Sequence, residues 1–252
     1  MNFHRQSRRF SLVVILAVAA MLAAVAHATT ALADPITPGS KSSSTKAPSK
    51  KPSHSSLRLG LFELAQIDSA NIVMLGDSLT ERGPWAEITG CPTIANRGIG
   101  GDQSSGVLRR LNGVVKLRPS AVFLMIGIND ILSDVPVSTI ADNVKQTVDR
   151  LVEADARVYL TLALPVTQDV RRNANSRVHE LNAAYRKLAD RPGVTLVDFL
   201  DKVQTPDGAL RAPLSIDGVH LSADGYRVWR DSIAPLIKIH CQGKGLPVTQ
   251  AR

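Results

Sequence analysis

Cysteines, aromatic side chains and long apolar runs are all scarce in this chain of 252 residues, and each shortage removes a class of function. Only Cys91 and Cys241 occur, 150 residues apart, which is no arrangement for a zinc site. In an exported protein an even cysteine count permits a disulfide, and both a disulfide and two separate buried thiols fit the sequence. Aromatic residues make up 4% of the chain, with two tryptophans, too few for an extended stacking platform along a polysaccharide. The longest apolar run, Leu12 to Ala26, falls short of the ~20 residues that span a bilayer comfortably.

What is abundant is positive charge, a formal +8 with a pI near 9.8, but its distribution removes the obvious inference. Arg5, Arg8, Arg9, Lys41, Lys46, Lys50 and Lys51 face only Asp34 within residues 1–56, so +6 of the +8 lies there. The remainder is nearly balanced, and the basic pI is no argument for nucleic acid as a partner of the folded part.

Composition divides the chain into four parts. Residues 1–33 have a basic start, an apolar centre and small residues before two cleavage points, after Ala28 or after Ala33, as in a secretory signal; a retained anchor is the alternative. No cysteine stands near those points, which argues against a lipoprotein anchor. Residues 34–56 are Ser, Pro and Lys with almost nothing to bury and are expected to form a disordered linker. Residues 57–240 hold the folding domain, and 241–252 a C-terminal tail. The protein is accordingly expected to be exported, periplasmic or secreted, with no stable membrane span once the signal is removed.

Within the domain, apolar runs at Ile72–Leu75, Thr93–Ala95, Ala121–Ile126, Val158–Leu164 and Val194–Val197 predict five short strands. Amphipathic segments at Ser105–Leu117, Ser138–Ala154, Asn173–Ala189 and from Ser222 to about Ile239 predict the intervening helices, with Ser138 and Ser222 as N-caps. Strands alternating with helices of this length imply an α/β, three-layer helix-sheet-helix sandwich around a five-stranded parallel sheet, flavodoxin-like in architecture. The near-continuous apolar character of the strands fits a sheet covered on both faces.

Ligands of such sheets bind beyond the carboxyl ends of the strands. Ser78 follows the first strand there, behind Gly76-Asp77. "NRGIGGD" (Asn96–Asp102) follows the second strand and "GIND" (Gly127–Asp130) the third. A serine hydroxyl needs a base to become a nucleophile. Of six histidines, His220 is placed to serve: His4 and His27 are in the signal, His54 in the linker, His179 in mid-helix and His240 at a helix end. Asp217, three residues earlier, can orient the imidazole, so Ser78, His220 and Asp217 form a candidate triad. Backbone and amide N–H groups at Ser78, Gly98 and Asn129 are candidate donors to a developing oxyanion. The glycine-rich segment lacks the spacing of a dinucleotide loop. Trp85 and Ile99 are candidates either for lining an acyl pocket or for packing.

"GDSL" at Gly76–Leu79, "NRGIGGD", "GIND" and "DGVH" at Asp217–His220 resemble, in order and spacing, the four blocks of the GDSL/SGNH hydrolase superfamily. The resemblance spans roughly residues 70–240. It implies the same roles: Ser78 as nucleophile, His220 as base, Asp217 as its orienting acid, with Gly98 and Asn129 as oxyanion donors. The second block is most similar to the branch containing platelet-activating-factor acetylhydrolase catalytic subunits and related bacterial esterases, less so to the thioesterase/lysophospholipase branch.

The resulting expectation is an exported serine esterase acting on a small-molecule or glycan ester, with short acyl groups such as acetyl preferred, through an acyl-enzyme and without metal or cofactor. Lysophospholipid or thioester hydrolysis, and O-acyl transfer to an envelope glycan, use the same triad. A non-catalytic binding module is the rival from another class; it predicts that Ser78→Ala leaves biological activity intact.

Overall fold

The computed structural model of the protein describes residues 51–241. The expected signal, most of the expected linker and the tail beyond Cys241 lie outside the described residues.

The chain runs through α1 (His54–Leu64), β1 (Ile72–Gly76), α2 (Ser78–Glu81), α3 (Trp85–Thr89), β2 (Ile94–Gly98), α4 (Ser104–Arg109), α5 (Leu111–Val115) and β3 (Ala121–Met125). It continues through α6 (Ile128–Leu132), α7 (Val137–Glu153), β4 (Arg157–Thr161), α8 (Ala174–Ala189), β5 (Val194–Val197), α9 (Leu200–Val203), a 3-10 turn at Ala212–Leu214, and α10 (Ala223–His240). All strand pairs are parallel and the order is β2-β1-β3-β4-β5, the five-stranded helix-flanked sheet that the alternation of apolar runs implies. Every residue of β1 and β3 is buried, because both central strands are covered on both faces. Among the described residues no helix is long and apolar enough to cross a membrane.

Several local expectations need correction. The segment expected as one helix over Ser105–Leu117 breaks at Arg110, whose backbone leaves helical geometry (φ −97°, ψ 7°). Its guanidinium turns inward to Asp102 Oδ2 (2.8 Å) and to the Gly76 carbonyl (3.0 Å). Ser222 does cap α10, accepting from the Gly225 N–H at 3.3 Å, but α7 starts at Val137 after Pro136, which leaves Ser138 inside the first turn. The part of the linker expected to be disordered up to Ser56 is helical from His54. Ser53 caps α1 by accepting the Ser56 N–H at 3.1 Å, and His54 and Arg58 bond to the body of the fold. His240, at the end of α10, is tied to the Tyr159 hydroxyl (2.9 Å), and burial lowers its pKa.

Cys91 and Cys241 are joined in a disulfide, with Cα atoms 5.7 Å apart, so the pairing left open by the sequence is made. It links the end of α10 to the approach to β2. Closing a loop of 150 residues restricts the unfolded chain by up to about 5 kcal/mol. The Cys91→Ser/Cys241→Ser protein, or the native protein under strong reductant, is therefore expected to melt about 10 °C lower by calorimetry. An unchanged melting temperature would show that the bond adds nothing to the fold.

Candidate active site

The site starts at the close junction between β1 and α2. Gly76 ends the strand where a Cβ would collide with the Met125 carbonyl oxygen and Thr80 Oγ1. Asp77 then caps α2, its Oδ1 accepting the Leu79 N–H at 3.0 Å. As the first residue of α2, Ser78 keeps its own backbone N–H outside the helical ladder. The turn is braced from behind. The Trp85 indole N–H donates to the Thr80 carbonyl (2.7 Å), and the Tyr226 hydroxyl donates to that of Leu79 (2.7 Å). Asn96 Nδ2 lies 3.0 Å from the carbonyl oxygens of Thr80, Glu81 and Gly83.

His220 reaches the serine from the loop between the 3-10 turn and α10. Its Nε2 lies 2.9 Å from Ser78 Oγ, and its Nδ1 lies 2.6 Å from Asp217 Oδ2. The other Asp217 oxygen accepts the backbone N–H groups of His220 (2.8 Å) and Val219 (3.0 Å). The slight burial of Asp217 would raise its pKa, but these donors and the imidazole hold it down at about 2, so the carboxylate stays charged. Ser215 Oγ closes the loop by donating to the His220 carbonyl (2.8 Å) and accepting from the Gly218 N–H (2.8 Å).

The expected donors divide. Asn129 lines the same cleft as Ser78 and His220; its Nδ2 gives one proton to the Asp102 carbonyl at 2.9 Å and keeps a second. Gly98 does not line it. Its N–H is taken by Asn96 Oδ1 at 2.9 Å, and its Cα faces the α2 backbone, where a Cβ would collide with the Glu81 nitrogen. Gly100 and Gly101 do line the cleft; Gly100 gives its N–H to Glu81, whereas Gly101, exposed and at φ +75°, has no partner for its N–H among the described residues. Gly98 was the expectation because, without a Cβ, its N–H could approach a substrate closely, and because the resemblance implies that role for it. β2, however, extends through Gly98 rather than ending at Ala95, which moves the turn three residues on. Trp85 and Ile99 are both buried, and Trp85 packs edge-on against Trp229 at 4.5 Å, so the packing alternative applies.

The cleft has a volume of about 420 Å³ and is lined by His54, Ser78, Glu81, Arg82, Gly100, Gly101, Asn129 and His220. The sequence reading missed His54, Glu81 and Arg82. The "LTER" that follows the nucleophile was the available signal for the latter two; nothing local marked His54. A larger groove of about 1020 Å³ between α8 and α9 contains no bonded serine–histidine pair.

Behind the nucleophile lies a set of buried acids. Burial, opposed by the Leu79 N–H and reinforced by Asp102 and Asp130, raises the Asp77 pKa to about 7, and its Oδ2 has no hydrogen-bond partner among the described residues. Asp130, also raised by burial, accepts from the Ser104 N–H (2.9 Å) and hydroxyl (2.6 Å).

A family model for GDSL-like lipases and acylhydrolases matches residues 74–228, more than half of the chain. Among solved structures, one from Streptococcus pneumonia, provisionally named a platelet activating factor, is 28% identical with a TM-score of 0.64, covering 73% of this chain and 92% of that one. A GDSL-like lipase from Bacteroides thetaiotaomicron (24% identity, TM-score 0.61, 67% and 87% covered) shares the fold. So does an acetylxylan esterase from Geobacillus stearothermophilus (18%, 0.57, 68% and 96%). No curated protein matches the chain.

Asp77 generates a prediction with a definite sign. Its folded pKa lies above the unfolded value of 3.8, so between pH 4 and 7 the folded state holds the extra proton and this contribution to stability is lost as pH rises. Asp77→Asn keeps the acceptor for Leu79 without the titration. Its melting temperature relative to the parent is expected to climb from pH 5 to pH 8 by several degrees; a pH-independent difference would refute the assignment.

Proposed function

Since the chain belongs to the GDSL-like lipase/acylhydrolase family and is an ester-bond hydrolase, we propose that it is an exported serine esterase that removes short acyl groups, acetyl foremost, from a hydroxyl-rich alcohol. The observation that carries the acyl preference is the lining of the cleft. None of the eight lining residues has an aliphatic or aromatic hydrocarbon side chain, so the cleft offers no side chain of the kind that selects a long acyl tail. His54, Glu81, Arg82 and Asn129 instead offer donors and acceptors to a polar leaving group. The acetylxylan esterase among the structural neighbours is consistent with that choice. The Cys91–Cys241 disulfide supports export to an oxidising compartment.

In this reading His220 Nε2 takes the proton of Ser78 Oγ as the oxygen attacks the ester carbonyl. The ionised Asp217 holds the Nδ1–H tautomer and stabilises the imidazolium. The tetrahedral oxygen is received by the N–H groups of Ser78 and Gly101 and by Asn129 Nδ2. His220 then protonates the departing alcohol, and a water deprotonated by the same nitrogen cleaves the acyl-enzyme.

Fluorophosphonate labelling with peptide mapping, run beside p-nitrophenyl esters of two, four, eight and twelve carbons, tests the proposal. Labelling is expected at Ser78 alone, with kcat/KM falling as the acyl chain lengthens. Ser78→Ala should lower kcat by about 10⁶-fold and Asp217→Asn by about 10⁴-fold. A folded native protein that neither labels nor turns over would dispose of the mechanism, and a maximum at twelve carbons would dispose of the short-acyl preference.

A further inference from the structure

Helix α1 lies outside the residues matched by the family model, yet it supplies His54 to the cleft and two ligands to a buried-side carboxylate beside the nucleophile. That carboxylate is Glu81, the last residue of α2. Its Oε1 lies 3.1 Å from His54 Nε2 and 3.2 Å from Arg58 Nε, and its Oε2 lies 2.9 Å from His54 Nε2 and accepts the Gly100 N–H. Arg58 also donates to the Gly98 carbonyl through Nε (3.3 Å) and a terminal nitrogen (3.1 Å). Phe62, one turn further on, sits beneath both Arg58 and Arg97, with the two guanidinium carbons 4.9 and 4.7 Å from its ring centre.

The turn that Glu81 grips is held at its ends, where the Ile99 N–H donates to the Gly76 carbonyl (3.1 Å) and Asp102 is bonded by Arg110 and Asn129, but less so between them. Gly100 and Gly101 have no side chains, Gly101 is exposed, and within the turn only the Asp102 N–H to Ile99 carbonyl bond (3.1 Å) spans it. Yet Gly101 must hold its N–H still if it is to receive an oxyanion, since a displacement of ~1 Å costs about 10²-fold in rate. A carboxylate in this position would ordinarily oppose the negative charge that develops nearby. Arg58 offsets that charge and His54 hydrogen-bonds to the carboxylate, which leaves Glu81 free to serve as an acceptor.

We infer that Glu81 is a positioning residue for the Gly100–Gly101 turn, and that α1, through Arg58 and His54, is the element that neutralises and holds it. The inference rests on the esterase reading for its kinetic consequence but not for its structural one. Glu81→Ala is expected to lower kcat on p-nitrophenyl acetate about 10²-fold with KM within threefold, whereas Glu81→Gln, which still accepts the Gly100 N–H, stays within about fivefold of native. Arg58→Met leaves the Glu81 charge uncompensated and is expected to lose rate that the Arg58→Met/Glu81→Gln double variant recovers. Binding of a trifluoromethyl ketone, which mimics the tetrahedral state, should weaken in step with kcat.

Hydrogen exchange separates this claim from the esterase reading. Amide exchange at Gly100 should accelerate at least tenfold in Glu81→Ala, remain near native in Glu81→Gln, and be unaffected in Ser78→Ala. If the native protein proves inert toward esters, exchange alone decides. Unchanged Gly100 exchange, or a Glu81→Ala variant with kcat within twofold of native, would overturn the inference.

Discussion

The contact on which the rest of the site depends is the backbone-on-backbone packing of α2 against the C-terminal rim of the sheet. Gly76 and Gly98 are register partners on β1 and β2, and neither has room for a Cβ: Gly76 is closed in by Met125 and Thr80, Gly98 by Glu81. Only with both side chains absent can a four-residue helix lie this close to the strand ends. Asn96 then stitches it down, its Oδ1 accepting from Gly98 and its Nδ2 reaching the carbonyls of Thr80 and Glu81 in α2 and of Gly83 after it. Ser78 is thereby placed by main-chain contacts, which a change of side-chain rotamer does not disturb.

Electrostatics divides the carboxylates around this turn into two kinds. Asp217 is half exposed and surrounded by N–H donors, so it remains an anion and can stabilise a protonated imidazole. Asp77 is fully buried and receives one N–H, so its charge is disfavoured. Asp102 pairs with Arg110, and Arg110 is available to do so only because the helix breaks at that residue. The broken helix thus brings a cation to the rear of the nucleophile.

The fold was legible because its signals are additive. Five apolar runs separated by amphipathic segments leave few arrangements other than a parallel sheet, and errors of two or three residues at the strand ends do not alter the topology. The Ser78, His220 and Asp217 grouping was legible for another reason: the rule that ligands bind at the carboxyl ends of strands brings distant segments to one rim. What escaped depends on such boundary errors or on tertiary contacts. Ending β2 at Ala95 instead of Gly98 left Gly98 outside the strand, where its N–H would be open to a substrate rather than bonded to Asn96. Ser138 was displaced as a cap because Pro136 already set the start of α7. The helical start at His54 has no local apolar pattern to announce it; its inner face is His54, Arg58 and Phe62, whose partners lie about 30 to 40 residues away.

The two ends of the described chain leave the sheet at opposite rims. His54 lines the cleft, whereas His240 bonds to Ser120 and, through its carbonyl, to Asn71, residues that precede β3 and β1. A group attached close to His54 would therefore stand near the mouth of the site and compete with substrate for approach, whereas one attached close to His240 would stand at the opposite rim and leave the cleft open.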